Sequence, residues 1–329
     1  MSLRPSFPRR ALLAALAAAP ILPTALRAQG ARRLDLDSRE IAIPDQLHAL
    51  IVLRDGEERV ARAFGGPGLD RPANVKSVSK TLVATLTGCA VARGVLAGPD
   101  VRALPLLGRR DEGPYAGLTV ADLLSLQGGA ASTSGASYGA WVSSRDWVGF
   151  VLDQPRAAPP GDGFIYSTGT THLLGAVLAE ASGRSLLALA RDWLGDPLGI
   201  EVPPWVRDPE GYYLGGNEMA LSPRALARFG AMILAGGAWQ GAEVVPGAWI
   251  ERSWEPRARS PFSGDQYGWG WFLTRFGGAE AAYARGYGGQ MLVVIPSRAT
   301  VVAITSDPTL PARSGGYFSD LRDLIEAVV

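Results

Sequence analysis

Lysine is almost missing from this chain: Lys76 and Lys80 stand against thirty arginines. Cysteine is scarcer still, with Cys89 alone, and this excludes an intramolecular disulfide. Histidine occurs only as His48 and His172, so no Cys/His cluster has ligand spacing. Neither a metal nor another cofactor is expected. Charge runs are absent as well. The formal charge is +1 and basic residues alternate with acidic ones, which leaves no face able to track phosphates and excludes a nucleic-acid partner. The apolar stretch Ala11 to Leu26 is short and broken by Pro20 and Pro23, whereas a spanning helix takes about 20 apolar residues. No stable membrane anchor is expected.

What the chain does contain is enough for one large domain or a domain with a subdomain, since 47% of its 329 residues are hydrophobic. Residues 1–28 read as an export signal of twin-arginine type, with Arg9-Arg10 before the apolar run and Arg27-Ala28-Gln29-Gly30 as the cleavage region. A periplasmic or secreted protein is the expectation, with residues 29–329 as its mature domain. His48 to Leu53 and Glu58 to Phe64, joined through Asp55-Gly56, predict an early hairpin. Tyr267 to Thr274, Gln290 to Ile295 and Thr300 to Ser306 predict later strands, and Tyr317 to Val328 an amphipathic helix. The expected fold is α+β and two-lobed. An antiparallel sheet is built from both ends of the chain, about 29–75 and 255–329, and a mostly helical lobe covers about 76–254.

Both lysines fall in the stretch Asn74 to Thr81. Guanidinium stays protonated, whereas a buried ammonium can lose its proton and serve as a base. Thr81 to Ala92 carries no charge on any face and predicts a buried helix ending at Arg93-Gly94. With Ser77 three residues before Lys80, a hydroxyl and a titratable amine share one helix face. The competing account has Ser77 and Ser79 capping the helix while Lys80 reaches to the surface.

Two more segments join Ser77-x-x-Lys80. Pro160 to Gly175 sets Tyr166 between a Pro/Gly turn and a helix, and Gly286-Tyr287-Gly288-Gly289-Gln290 precedes a C-terminal strand. In order and separation these resemble the serine β-lactamase and penicillin-binding protein superfamily, nearest its class C branch of esterases and 6-aminohexanoate-oligomer hydrolases. Leu118 to Leu124, Leu221 to Gly230 and Tyr267 to Trp271 extend the resemblance. It implies that Ser77 is the acylated nucleophile, Lys80 its base and Tyr166 the proton relay. The amides of Ser77 and Tyr287 would hold the oxyanion, and Thr168, Gly286 and Gly288 would contact substrate. Asn217, with Glu218 in the turn after Tyr212-Tyr213, is a further candidate for substrate binding.

The chain departs from that pattern twice. Thr168 stands where asparagine is usual, and Ala284-Arg285-Gly286 lacks the lysine or histidine that would meet a substrate carboxylate; strand alternation turns Arg285 away from Ala284. The implied function is a secreted serine hydrolase acting on a small ester or uncharged amide. The alternatives are a β-lactamase or D-alanyl-D-alanine carboxypeptidase, and a sensor that binds without turnover. Tyr138, Trp141, Trp147, Tyr212, Tyr213, Trp269 and Tyr287 are available either to line an apolar cleft or to fill the core. Gly135-Ala-Ser137-Tyr-Gly139 matches a nucleophile elbow in letters only. No apolar strand precedes Ser137, and His172, the sole histidine after it, falls on an apolar helix.

Overall fold

A computed structural model describes residues 33–36 and 39–329; the export signal read at residues 1–28 lies outside the described residues. Asp55 and Gly56 take φ of 54° and 81°, the left-handed pair a two-residue hairpin demands. They join β1 (Leu47–Arg54) to β2 (Glu57–Ala63). Six more strands follow in the C-terminal part: β3 (Ala258–Arg259), β4 (Gln266–Tyr267), β5 (Phe272–Phe276), β6 (Ala279–Gly286), β7 (Gln290–Ile295) and β8 (Thr300–Ser306). Across the sheet they run β2-β1-β8-β7-β6-β5-β4-β3, antiparallel at every step. The first hairpin thus finds its partner in the last strand, with Ile304 opposite Leu50.

Two of the strand expectations change. Tyr267 to Thr274 is not one strand, because β4 stops at Tyr267 and the Gly-Trp-Gly-Trp segment breaks the ladder before Phe272. A Cβ on Gly268 would lie 2.0 Å from the Ser253 carbonyl oxygen, and Gly270 has φ +75°. Both glycines permit the turn that sinks Trp269 and Trp271 into the core. The strand β6 is absent from the sequence-based expectation. Its residues Ala-Glu-Ala-Ala-Tyr-Ala-Arg-Gly are poor strand formers, and pairing with β5 and β7 alone makes them one.

Alternation sorts the sheet's side chains onto two buried faces. Ala282, Ala284, Leu292 and Val294 join a core with α1 (Ser79–Ala92), α2 (Thr168–Ser182) and α3 (Pro223–Leu234). Ala281, Tyr283, Met291 and Val293 join a second core under α4 (Tyr317–Val328). The uncharged run after Lys80 is α1, buried from Ser79 to Ala90. A short ladder pairs Ala73–Asn74 with Ala220–Leu221. It ties the segment entering α1 to the loop of residues 214–219, and these two pieces of chain bound the site.

Candidate active site

The nucleophile candidate sits in a single helical turn, Lys76–Val78, that leads into α1. Lys76 enters this turn at φ 50°, a left-handed conformation that strains a side-chain-bearing residue by about 1–3 kcal/mol. Three contacts hold it there. Its amide donates to Asn74 Oδ1 at 2.8 Å, its ammonium donates to Glu218 Oε1 at 2.8 Å, and the Asn74 amide group donates to the other oxygen of Glu218. Glu218 itself has φ 67°, so two strained residues clamp each other beside Ser77.

Lys80 lies one turn along α1 and is 3% exposed. Its Nζ is 3.2 Å from Ser77 Oγ, 3.3 Å from Thr168 Oγ1 and 2.6 Å from the Gly216 carbonyl oxygen. Burial lowers its pKa to about 7, because the charged form loses its water without gaining a carboxylate. The surface-reaching account of Lys80 therefore fails. Tyr166 lies against the same amine, with Nζ 5.0 Å from its ring centre. Burial raises the phenol's pKa, opposed by a hydrogen bond with Ser77 and by the charge of Arg285. The structure thus brings together Ser77, Lys80 and Tyr166, leaving the amine free to be neutral at pH 7 and the phenol protonated.

Thr168 opens α2 and its hydroxyl bonds Ser134 Oγ at 2.9 Å as well as facing Lys80. Ser134 in turn accepts the Thr168 amide at 2.8 Å. Thr168, at the sequence position where the resemblance has asparagine, thus shares its polar contacts with Ser134, which has no sequence signal beyond being a serine in a loop. Gly286 ends β6 against the nucleophile turn, where a Cβ would meet the Val75 carbonyl oxygen at 2.5 Å and the Ser77 amide nitrogen at 3.0 Å. Glycine is required here by this close approach, and the residue also lines the cleft. Tyr287 follows at the cleft mouth, 54% exposed. The Ser77 amide belongs to a first helical turn, where N–H groups lack intrahelical partners, so it is available to an oxyanion. Gly288 is a correction: it does not line the cleft. Its φ of +82° shapes the turn after Tyr287, and a Cβ there would lie 2.3 Å from the Asp307 carbonyl oxygen.

The cleft holds about 780 Å³ and is walled by Ser77, Tyr166, Thr168, Asn217, Phe272 and Arg285, among others. Asn217 donates to the Tyr138 hydroxyl at 3.2 Å, while its buried carbonyl oxygen has no partner. Of the aromatics proposed for the lining, Tyr138 and Tyr287 are there. Trp141, Trp147, Tyr213 and Trp269 are buried core instead, and Tyr212 bonds Glu180. Arg285 alternates away from Ala284 as expected, yet its side chain still reaches the cleft wall and lies 3.6 Å over the Phe318 ring. The cleft therefore has a cation near the reacting groups, although the motif position lacks one. Ser137 lies in a short turn with no strand before it. His172 is a core residue, wholly buried and 3.1 Å from Asp208 Oδ2, far from any elbow role.

Residues 46–318 match the Beta-lactamase family model, and the chain belongs to that family of serine hydrolases. Among solved structures it resembles a provisionally named 6-aminohexanoate-dimer hydrolase from Bacillus anthracis, at 19% identity and a TM-score of 0.71, covering 86% of this chain and 80% of that one. It also resembles an octameric penicillin-binding protein homologue from Pyrococcus abyssi, at 19% identity and a TM-score of 0.70, over 85% and 72% of the two chains. A third likeness is to EstCE1, a hydrolase with promiscuous acyltransferase activity, at 18% identity and a TM-score of 0.68, over 84% and 93%. Identities this low establish the shared fold and nothing finer. No curated protein sequence matches the chain.

Proposed function

We propose that the protein hydrolyses an ester or amide of a small molecule through an acyl-Ser77 intermediate. The observation that carries this reading is a buried amine of pKa about 7 placed 3.2 Å from the Ser77 hydroxyl. Lys80 accepts the hydroxyl proton as Oγ bonds to the carbonyl carbon. The oxygen of that carbonyl gathers charge facing the amides of Ser77 and Tyr287, and each such donor typically contributes about 2.7 to 4 kcal/mol to the barrier. Tyr166 gives its proton to the leaving alcohol or amine as the C–O or C–N bond breaks, and the Lys80 ammonium restores it. A water then attacks the acyl carbon, giving a proton to the neutral Lys80 amine, and the acyl C–Oγ bond breaks as Ser77 takes that proton back and the acid is released. The lowered pKa of Lys80 and the raised one of Tyr166 support Lys80 as the base and Tyr166 as the acid. The work is placed in the periplasm or outside the cell, supported by the Arg9-Arg10 signal pattern; fractionation of expressing cells tests that.

Treatment with a fluorophosphonate and peptide mapping provides the central test, with a single adduct on Ser77 expected in the parent and none in S77A. Labelling elsewhere in folded protein removes the proposal. β-Lactam or carboxypeptidase chemistry is the second reading, favoured by Arg285 in the cleft, which supplies the cation that Ala284 does not. Nitrocefin turnover would promote it over the first. The sensor reading predicts no turnover of any p-nitrophenyl ester or anilide by a protein that still binds in its cleft.

A further inference from the structure

Outside the reacting groups, α2 buries a second polar set beneath the site. The side chains of His172 and Asp208 have no solvent exposure and meet through Nε2 and Oδ2 at 3.1 Å. The indoles of Trp141 and Trp147 stand edge-on to the imidazole, with centres 5.7 and 5.5 Å away. On the far side of the ring the Gly215 amide donates to Nδ1 at 3.4 Å. These partners fix one tautomer: Nε2 carries the proton toward the carboxylate and Nδ1 accepts. Asp208 is held in turn by the Tyr212 amide on Oδ1 at 2.8 Å.

Gly215 is followed by Gly216, whose carbonyl oxygen takes the shortest bond made by Lys80, 2.6 Å. Neither glycine has room for a side chain. A Cβ on Gly215 would meet the Thr171 carbonyl oxygen at 2.4 Å, and one on Gly216 the Thr168 carbonyl oxygen at 2.8 Å. The loop is anchored at its ends by Leu214 on Val206 and by Met219 with Val75 and Ser79. Between those ends, His172 is the side chain that holds the backbone next to the Lys80 acceptor.

We infer that Asp208 and His172 are positioning residues for the general base: they set the Gly215-Gly216 peptide so that its carbonyl dipole meets Lys80 and holds the amine toward Ser77. This rests on the proposed role of Lys80. The groups facing that amine are Ser77 from its own turn, the Tyr166 phenol, the Thr168 hydroxyl of α2 and the Gly216 carbonyl. None is a carboxylate, since Glu218 is engaged by Lys76 and Asn74. Around His172 the charged groups are Asp208 in contact and Glu210 at longer range. A carbonyl acceptor stabilises the ammonium, so losing it lowers the pKa of Lys80 further, whereas a core that merely loosens would admit water and raise it toward the ordinary lysine value.

The scarcity of lysine makes the test direct. Protein labelled with 13C at lysine gives two side-chain signals, from Lys76 and Lys80, and the Lys80 titration is read without any turnover. H172Q keeps the contact to Asp208 and loses the Gly215 acceptor, while H172N keeps an acceptor where Nδ1 was. In H172Q the Lys80 midpoint should fall by about one pH unit, with kcat on an activated ester down about tenfold or more and KM little changed. H172N should lie nearer the parent in both. If H172Q does not fold, D208N gives the same readout through loss of the charge that fixes the tautomer. A Lys80 midpoint that stays put or rises in the folded variants overturns the inference. Failure of the catalytic reading shows separately, as an S77A protein equal in activity to the parent.

Discussion

Lys80 is an amine whose environment favours the neutral form, and its consequences for rate and for stability are distinct. If the neutral amine takes the Ser77 proton, kcat/KM rises with pH through a single ionisation near 7, and K80R, which cannot shed its proton, is inactive by about 10³-fold or more. Stability has its own sign. Between pH 7 and the ordinary lysine pKa of 10.5 the unfolded chain holds a proton that the folded one has released, so stability rises with pH across that window, and below it the full burial penalty remains. K80M should therefore unfold at higher urea than the parent at pH 6, with the gap closing by pH 10. Arg285 sets a second expectation at this scale. Its guanidinium lies on the Tyr166 side of the cleft without an ion pair to a described residue, so a leaving group bearing a carboxylate should be favoured over its neutral analogue. In R285Q that preference should fall about tenfold, roughly the worth of one charged hydrogen bond, with the neutral ester little affected.

Among the elements, β6 and the nucleophile turn meet more closely than side chains allow. The absent Cβ of Gly286 leaves Ser77 and Tyr287 side by side, and restoring it in G286A would push on the Val75 carbonyl and the Ser77 amide. The expected result is a loss of about 10² in the acylation rate, on the scale of one displaced oxyanion donor. Far-ultraviolet circular dichroism should be unchanged, and stopped-flow release of p-nitrophenol reads the rate. Little of this meeting was legible beforehand. Gln290–Ile295 and Thr300–Ser306 announce themselves by segments rich in β-branched residues, and α1 by the uncharged run from Thr81 to Ala92. The alanine-rich β6 has no such signature, because its strand character comes from neighbours on both sides.

For the whole molecule, the site depends on a sheet that both chain ends must complete. One face of β6 to β8 is covered by α4 through Phe318, Leu321 and Ile325, all buried. Placing a charge there in I325D buries an unpaired carboxylate, at several kcal/mol, and should yield insoluble protein or loss of near-ultraviolet dichroism, although Ile325 does not itself wall the cleft. Because Ser77, Tyr166 and Tyr287 come from distant parts of the chain, loss of activity and of tertiary signal on heating should coincide.

The amino-acid order alone determined which groups were available for chemistry: a serine and a lysine three residues apart before an uncharged helix, a tyrosine before a second helix and a Gly-rich turn before a strand. Periodicity and composition act locally, so these features and most of the strands could be read directly. Other outcomes belonged to tertiary structure: that Lys80 sits dry, that Arg285 reaches the cleft past Ala284, that Gly288 turns away from it, and that His172 braces the loop opposite the amine. Each depends on what lies across space from the residue, and burial, alternation and close packing are properties of the assembled layers rather than of any stretch of chain.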